Sequence, residues 1–266
     1  MVAQLTHELL AKIFSHLDPV ILLQLRLVCR LFRDVLESHI HHFDFSGSDI
    51  NLSEQLRICC LFSGLDEITI AEPCHAESLP QSEDKLSQAL QCALQKRYTL
   101  RYLRMCVTAQ HITDGDVFFI TRNCRHLLSI YLSNCRVTDI AMLHLSSCHQ
   151  LREITICGSS ALTDVALIHI SQQCHLLQYA VFGTFTIVTD DGLGYFARGC
   201  TDIRTLLLIV KEHRITHVGI SKLRSMCLKL QTLDIQREFQ TIDTSAPFVG
   251  DEADKTLLKS LQAHTG

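Results

Sequence analysis

Cysteine and histidine are the residue types of this chain that could do chemistry, with thirteen cysteines and fifteen histidines among 266 residues. Histidine lies beside or near cysteine at four places: Cys74 and His75, Cys124 and His126, Cys148 and His149, and Cys174 and His175. A zinc site needs four converging ligands, usually with Cys-x-x-Cys spacing, and no two cysteines of the chain have that spacing. We therefore expect no metal site and no cofactor.

A nucleophilic thiol is the other chemistry that cysteine offers, and it requires an exposed sulfur beside an activating base. Cys106 and Cys157, each just past a predicted strand, are the only candidates for that role. The chain also contains no glycine-rich phosphate loop, no Gly-x-Ser-x-Gly motif and no kinase signature. We therefore predict that the protein is not an enzyme.

Five cysteines recur at nearly constant intervals, and this spacing indicates a repeat rather than a set of ligands. Cys124, Cys148, Cys174, Cys200 and Cys227 lie 24, 26, 26 and 27 residues apart. A unit of this length with Leu-x-x-Leu-x-Leu character lies in the range of leucine-rich repeats. A small thiol that recurs once per unit is expected to pack in the core, while the adjacent histidine faces water.

Each unit predicts one short strand and one helix. The inward strand residues alternate at a period of two: Leu103, Met105, Ile130, Leu132, Ile154, Ile156, Ala180, Phe182, Leu206, Leu208, Leu233 and Ile235. A threonine stands where each helix is expected to begin, and aspartate follows the first four, favourable beside the helix dipole: Thr113, Thr138, Thr163, Thr189 and Thr216. The helices then bury apolar pairs three residues apart: Val117 and Ile120, Met142 and Leu145, Leu167 and Ile170, Leu193 and Phe196, and Ile220 and Leu223. Stacked units of this kind form a curved solenoid with parallel strands inside and helices outside.

The composition is typical of a globular protein inside the cell. Hydrophobic residues make up 47% and charged residues 20%, and the net charge of −4 gives no reason to expect nucleic acid or an anionic membrane as a partner. No stretch approaches eighteen uninterrupted apolar residues, and we expect no secretory signal because there is no basic leader. With the odd number of cysteines, this predicts reduced thiols and a location in the cytoplasm, the nucleus or both.

The stretch LDPVILLQLRLVCRLFRDV, Leu17 to Val35, contains twelve apolar residues in nineteen. Asp18 and Pro19 predict a helix start there. The apolar residues that follow cover nearly the whole circumference of two helical turns, so this helix needs neighbours on several sides. Two interpretations are open: the N-terminal helices cap the solenoid, or part of their apolar surface binds a partner.

Residues 5–35 resemble an F-box, through Leu5, ELL at Glu8 to Leu10, IFSHLDP at Ile13 to Pro19, and LVCRLF at Leu27 to Phe32. The remainder resembles the cysteine-containing repeats that follow the F-box in the F-box/leucine-rich-repeat family. The resemblance implies a three-helix unit that docks on a Skp-type adaptor, and through it on a cullin. The solenoid would then present a protein substrate for ubiquitin transfer.

The adaptor contacts that the resemblance implies are Leu5, Leu9, Ile13, Phe14, Leu17, Pro19, Leu22, Leu25, Val28, Cys29 and Phe32. One departure is Thr6, where the family usually has proline. Thr6 can still cap the first helix, so we expect docking to be weakened at most modestly. The implied function is the substrate-recognition subunit of an SCF-type (Skp, cullin, F-box) ubiquitin ligase. The alternative is a leucine-rich-repeat scaffold that acts outside a ubiquitin ligase.

The predicted fold is α/β: a three-helix F-box followed by a right-handed leucine-rich-repeat solenoid, with parallel strands on the concave side and helices on the convex side. The predicted domains are an F-box at 1–40, degenerate first repeats at 41–99, regular repeats at 100–236, and a C-terminal loop and capping helix at 237–266. Within the degenerate repeats, Pro73 and Pro80 bracket a predicted loop, which is followed by a helix capped by Ser82.

Substrate recognition is predicted on the strand side chains that alternate with the buried ones. The predicted contacts are Tyr102, Arg104, Tyr131, Glu153, Thr155, Tyr179 and Asp234. Tyrosine is favoured at binding sites because it offers apolar area and a polar tip at low entropic cost, and Tyr102 and Tyr131 are expected to form one patch with Arg104. Two alternatives remain open: the tyrosines simply pack along the sheet, or the loop from Arg237 to Gly250 covers this surface.

Overall fold

Three helices form the N-terminal part of the computed structural model, which describes residues 2–46, 48–62, 64–71, 83–95, 99–107, 112–158 and 161–237. They are α1 (Val2–Phe14), α2 (Pro19–Val28) and α3 (Arg30–His39). As predicted, α2 begins at Pro19, because the fixed φ of proline suits the first turn of a helix. The Sγ atom of Cys29 accepts a hydrogen bond from the backbone N–H of Phe32 at 3.5 Å and so caps α3.

Eight parallel strands form one sheet in the described part of the chain, and they follow one another in chain order. The strands are β1 (His42–Asp44), β2 (Glu67–Ala71), β3 (Tyr102–Cys106), β4 (Ser129–Ser133), β5 (Glu153–Ile156), β6 (Tyr179–Thr189), β7 (Thr205–Arg214) and β8 (Thr232–Arg237). Each connection contains one helix: α4 (Leu52–Cys60), α5 (Glu83–Leu94), α6 (Asp114–Asn123), α7 (Asp139–Leu145), α8 (Asp164–Gln173), α9 (Asp190–Gly199) and α10 (His217–Met226). This is a leucine-rich-repeat solenoid, and the predicted fold class is confirmed. We call the sheet face turned away from the helices the concave face.

The core lies between the sheet and the helices. The predicted inward residues of β3 to β7 are all buried, with at most 2% of their surface exposed. The predicted apolar pairs of α6 to α9 are buried in the same layer. The last unit differs, because Ile220, Leu233 and Ile235 are only partly buried. No described unit stacks on its far side, so one flank of its apolar surface stays open.

From α6 to α10, threonine and aspartate side chains connect the start of one helix to the start of the next. As predicted, Thr138, Thr163, Thr189 and Thr216 are the N-caps of α7 to α10. Each of these threonines also donates, from its backbone N–H and its hydroxyl, to the first aspartate of the preceding helix: Thr138 to Asp114, Thr163 to Asp139, Thr189 to Asp164 and Thr216 to Asp190. We call this set of contacts the Asp–Thr ladder. The aspartates therefore do more than face the helix dipole, since they link successive units.

The strands β6 and β7 depart from the prediction of one short strand per unit. They are 11 and 10 residues long, and their pairing continues to Thr189 and Arg214. After β4 and β5 the chain turns through residues of positive φ, Asn134 at 49° and Gly158 at 81°. The corresponding residues of β6 are mainly β-branched or aromatic, which favours extended backbone, so pairing resumes after a bulge.

Three predictions concern residues outside the described ranges: the loop between Pro73 and Pro80, the Ser82 cap, and the loop and helix that follow residue 237. Within the ranges that are described, no helix is both long and apolar enough to span a membrane.

Candidate functional site

The three N-terminal helices expose several large apolar side chains. These are Leu9, Ile13, Ile21, Leu27, Val28 and Leu31, and we call them the N-terminal apolar surface. Leu27 and Val28, at the end of α2, are the most open of the six, with 74% and 65% of their surface exposed. All six fall within residues 9–31, and so many exposed apolar groups in a short segment are more typical of a binding surface than single scattered apolar residues are.

Side-chain contacts hold these helices in one arrangement. Nε and Nη2 of Arg26 both donate to Oε1 of Glu37, at 3.0 and 2.7 Å, which links α2 to α3. Phe14 and Phe32 pack edge to face with ring centres 5.2 Å apart, which links α1 to α3. The helices therefore present their exposed apolar residues from a packed unit.

The predicted adaptor contacts differ in exposure. Leu9, Ile13, Val28 and Cys29 are exposed, and Leu17, Leu25 and Phe32 are half-buried. Three others are buried in the chain itself: Phe14 and Leu22 belong to the hydrophobic core, and Pro19 is buried at the start of α2. Those three are therefore not part of an exposed docking surface, because they pack against their own chain. Leu5 lies in α1, and the structure describes only its backbone.

Three members of the N-terminal apolar surface were not among the predicted contacts: Ile21, Leu27 and Leu31. Leu31 lies in α3, whereas the sequence contained a signal for Ile21 and Leu27, because α2 is apolar around nearly its whole circumference. Such a helix cannot bury every side against two neighbours, so some of its apolar residues must face outward. The sequence does not say which ones.

The second candidate surface is the concave face, on which two rows of side chains cross all eight strands. One row contains His42, Glu67, Tyr102, Ser129, Glu153, Tyr179, Thr205 and Thr232, and the other contains Asp44, Thr69, Arg104, Tyr131, Thr155, Val181, Leu207 and Asp234. All seven predicted substrate contacts lie in these rows. Tyr102 pairs with Ser129 and Tyr131 pairs with Arg104, so the two tyrosines are diagonal neighbours in different rows.

Tyr131 is the centre of a small group of interactions on the concave face. The guanidinium carbon of Arg104 lies 5.2 Å from the centre of the Tyr131 ring, in a cation–π contact. The Tyr131 hydroxyl is hydrogen-bonded to the Cys106 thiol. Burial raises the pKa of Tyr131 above its ordinary value, so the phenol is neutral at physiological pH. Tyr131 therefore has partners within its own chain and offers little surface to others.

The remaining predicted substrate contacts also differ in exposure. Tyr102, Arg104 and Glu153 are exposed, Tyr179 and Asp234 are half-buried, and Thr155 is buried. Because Tyr131 is buried as well, the exposed part of the predicted site reduces to Tyr102, Arg104 and Glu153.

A small apolar cluster on the concave face was not predicted. Cys157, Val181 and Leu207 are buried there, and Tyr179 and Ile209 pack against them. Val181 and Leu207 alternate with core residues, yet only 1% and 5% of their surface is exposed. The signal was present in the sequence, since LLLIV at Leu206 to Val210 is apolar at every position, which is typical of a strand buried on both faces.

The repeat cysteines have no features of a reactive site. All five are buried, and each of the last four thiols lies 3.6–3.9 Å from the backbone carbonyl oxygen of the repeat cysteine before it. Burial raises the pKa of Cys148 to about 11 and that of Cys174 to about 12. Their thiolate population is therefore very small, and the thiolate is the form that attacks and that binds metal.

The two cysteines considered as nucleophiles are in a similar situation. Burial raises the pKa of Cys157 to about 12 and also raises that of Cys106. Among the described residues, no group of three or more histidine, cysteine, aspartate or glutamate side chains is placed to hold a metal ion.

Comparison with known proteins gives one family match. Residues 4–45 match the sequence model of the F-box-like family. No curated protein sequence is similar enough to count as a match. Among solved structures, the chain is similar to an internalin (inlF) from Listeria monocytogenes, with 15% sequence identity and a TM-score of 0.45. That similarity covers 78% of this chain and 64% of the internalin chain, so this chain spans less than two thirds of the internalin's length.

Proposed function

We propose that this chain, in which an F-box-like segment is followed by a leucine-rich-repeat solenoid, is the substrate-recognition subunit of an SCF-type ubiquitin ligase. In this proposal the N-terminal helices dock on a Skp-type adaptor, the adaptor connects the chain to a cullin, and the concave face binds a protein substrate. The chain itself supplies no catalytic group. We propose the cytoplasm, the nucleus or both as its location, where cysteine thiols stay reduced.

The observation that carries the proposal is the N-terminal apolar surface, which lies within the F-box-like match. The same helices also close one end of the core, through Phe14, Leu22 and Leu36. Buried residues of this kind are enough to cap the solenoid. Leu27 and Val28 remain exposed, so they take no part in capping it. At about 25 cal/mol per Å² of apolar surface, covering such residues with a partner supplies several kcal/mol of driving force.

The solenoid supports the second half of the proposal. Stacked repeats create an extended strand surface, and surfaces of this kind commonly serve as binding sites for proteins. Tyr102, Arg104 and Glu153 give that surface an aromatic group and charges of both signs within three adjacent strands. Such a mixture fits a polypeptide partner.

The double substitution Leu27→Asp and Val28→Asp tests the adaptor interaction. We expect the affinity of the full chain for the Skp-type adaptor to fall about 30-fold or more, since the loss of an interface hot spot costs about 2 kcal/mol or more. Titration calorimetry with purified adaptor measures the affinity. Both side chains are largely exposed, so the folded solenoid should be retained, which thermal unfolding followed by circular dichroism checks.

Ile140→Asp in α7 provides the matched control, because Ile140 is also an exposed apolar side chain but lies in the repeats. We expect this control to bind the adaptor with unchanged affinity. If the double variant is folded and also binds with unchanged affinity, the assignment to an SCF-type ligase is wrong, and a scaffold that acts outside a ubiquitin ligase is the better hypothesis.

A further inference from the structure

Cys60 and Cys92 bring two thiols into contact outside the repeat pattern. Cys60 is the last residue of α4, and Cys92 lies in the last turn of α5. The two Sγ atoms are 3.3 Å apart although the residues are separated by 32 positions in the chain. This separation is short enough for a thiol–thiol hydrogen bond and is about 1.3 Å longer than an S–S bond of about 2.05 Å.

Buried neighbours fix α4 on its side of the pair. Ile58 and Cys59, directly before Cys60, are buried in the core. The side-chain amide nitrogen of Gln55 donates to the carbonyl oxygens of Ile50 and Ala71, at 2.7 and 2.6 Å. The middle of α4 is thus anchored to β2 and to the preceding loop, and buried residues hold its end.

The helix α5 is anchored in a similar way. Leu90, Ala93 and Leu94 surround Cys92 in sequence and are buried. The Ser87 hydroxyl donates to Oδ1 of Asp116 at 2.7 Å, which links α5 to α6. Because both helices are held by their own buried contacts, the two sulfur atoms are positioned by the fold rather than by a chance approach of two flexible segments.

Accessibility distinguishes this pair from the repeat cysteines. Cys92 is exposed and Cys60 is partly exposed, whereas Cys124, Cys148 and the other repeat cysteines are buried. Cys29 is also exposed, but it is the N-cap of α3, and its thiol accepts a backbone hydrogen bond. A reagent dissolved in water can therefore reach Cys92, with Cys60 in position to react next.

We propose that Cys60 and Cys92 form a dithiol site that a peroxide oxidises to a disulfide linking α4 to α5. In the first step the Cys92 thiolate attacks one oxygen of the peroxide and the O–O bond breaks. With hydrogen peroxide, the other oxygen leaves as hydroxide and becomes water by taking up the proton that the thiol released. The product is a sulfenic acid on Cys92. In the second step the sulfur of Cys60 attacks the Cys92 sulfur, the S–O bond breaks, and the hydroxyl group leaves with the Cys60 proton as a second water. Two thiols lose two electrons, and one peroxide gains them.

The disulfide would lock together two units that strand pairing connects but the Asp–Thr ladder does not. The Asp–Thr ladder runs from α6 to α10, and neither α4 nor α5 takes part in it. A covalent link at residues 60 and 92 would add a constraint between the helices nearest the F-box-like segment. Disulfide-reducing thiols would reverse it, because an exposed disulfide is accessible to thiolate attack.

Peroxide treatment of the purified full chain tests the proposal. We expect peptide mapping by mass spectrometry without reductant to recover one peptide pair joined through Cys60 and Cys92, with a mass about 2 Da below the sum of the two peptides. Treatment with dithiothreitol should restore the separate peptides. Cys60→Ser and Cys92→Ser should each abolish the linked pair and leave thermal unfolding of the reduced protein nearly unchanged.

Cys29→Ser is the matched control, since it removes an exposed thiol elsewhere, and we expect it to form the 60–92 link as the natural chain does. The proposal is overturned if peroxide drives Cys92 to sulfinic acid while Cys60 stays reduced, or if Cys92 becomes linked to another cysteine or to a second chain. It is also overturned if both thiols remain reduced under conditions that oxidise Cys29.

Discussion

The thiol of Cys174 shows how a recurring cysteine acts at the scale of one residue. Its Sγ atom lies 3.8–3.9 Å from the carbonyl oxygens of Leu145, Ser146 and Cys148, all in the preceding unit. A large, soft sulfur fills this space and serves as a weak donor to several acceptors. A smaller hydroxyl oxygen in the same position would be too far from each carbonyl for a normal hydrogen bond.

We therefore expect Cys174→Ser to lower the free energy of unfolding by about 1–3 kcal/mol, the usual cost of a buried polar group without a good partner. Urea denaturation of the full chain measures this change. Cys29→Ser, at an exposed N-cap cysteine, should not lower stability, because serine is itself a preferred N-cap residue. Equal stabilities for Cys174→Ser and the natural chain would show that the thiol contacts carry no net stabilisation.

At the scale of the element, the Asp–Thr ladder predicts that the two aspartates at the start of α9 contribute unequally to stability. Asp190 and Asp191 both lie in the first turn of α9, so both interact with the helix dipole. Asp190 also accepts two hydrogen bonds from Thr216, from the backbone N–H at 2.8 Å and from the hydroxyl at 2.6 Å. We expect Asp190→Ala to cost about 1 kcal/mol more than Asp191→Ala, a value reduced for solvent exposure. Urea denaturation at neutral pH measures the free energy of unfolding of both variants. Equal decreases would show that both aspartates stabilise the protein only through the helix dipole.

The same contact predicts a pH dependence. Hydrogen bonds from the Thr216 side chain and backbone lower the pKa of Asp190 below its ordinary value. The unfolded chain then binds a proton at higher pH than the folded chain, so the contribution of Asp190 is present above the unfolded pKa of about 3.9 and is lost as pH falls through the folded pKa. The stability difference between the natural chain and Asp190→Ala should shrink on acidification below about pH 4. A difference that grows on acidification would contradict the direction of this shift.

At the scale of the whole molecule, the concave face separates into an exposed and a covered part. Tyr102, Arg104 and Glu153 are exposed on β3 to β5, whereas Val181 and Leu207 on β6 and β7 are buried. We therefore expect substrate contacts to concentrate at the exposed part. Tyr102→Ala with Arg104→Ala should reduce substrate capture about tenfold or more while adaptor binding stays unchanged.

Quantitative mass spectrometry of the proteins that copurify with the full chain measures capture. The matched control is Tyr195→Ala with Arg198→Ala, which removes a tyrosine and an arginine from α9, on the helical side of the solenoid. The guanidinium carbon of Arg198 lies 5.5 Å from the centre of the Tyr195 ring, in a cation–π contact. This control should capture the same proteins as the natural chain. If both double variants retain the same captured proteins, recognition lies outside the concave residues named here.

The sequence by itself determined the repeat, the fold class, the core residues of the strands and the N-caps of the helices. Period-two alternation identified the core residues of β3 to β7, and the position of threonine identified the N-caps, for example Thr138. The F-box-like segment was recognisable from its motifs. These features depend on neighbours a few residues away, where strand and helix geometry decides which face a side chain takes.

Only the tertiary structure decided which apolar residues of the N-terminal helices remain exposed and which side chains meet between units. Phe14 and Leu22 are buried while Leu27 and Val28 are open, because the packing of three helices selects one side of each. The partner of Asp190 is Thr216, and that of Cys60 is Cys92, at separations of 26 and 32 residues. Such contacts depend on the stacking of units, and nothing in the local periodicity of a chain specifies how far one unit is displaced against the next.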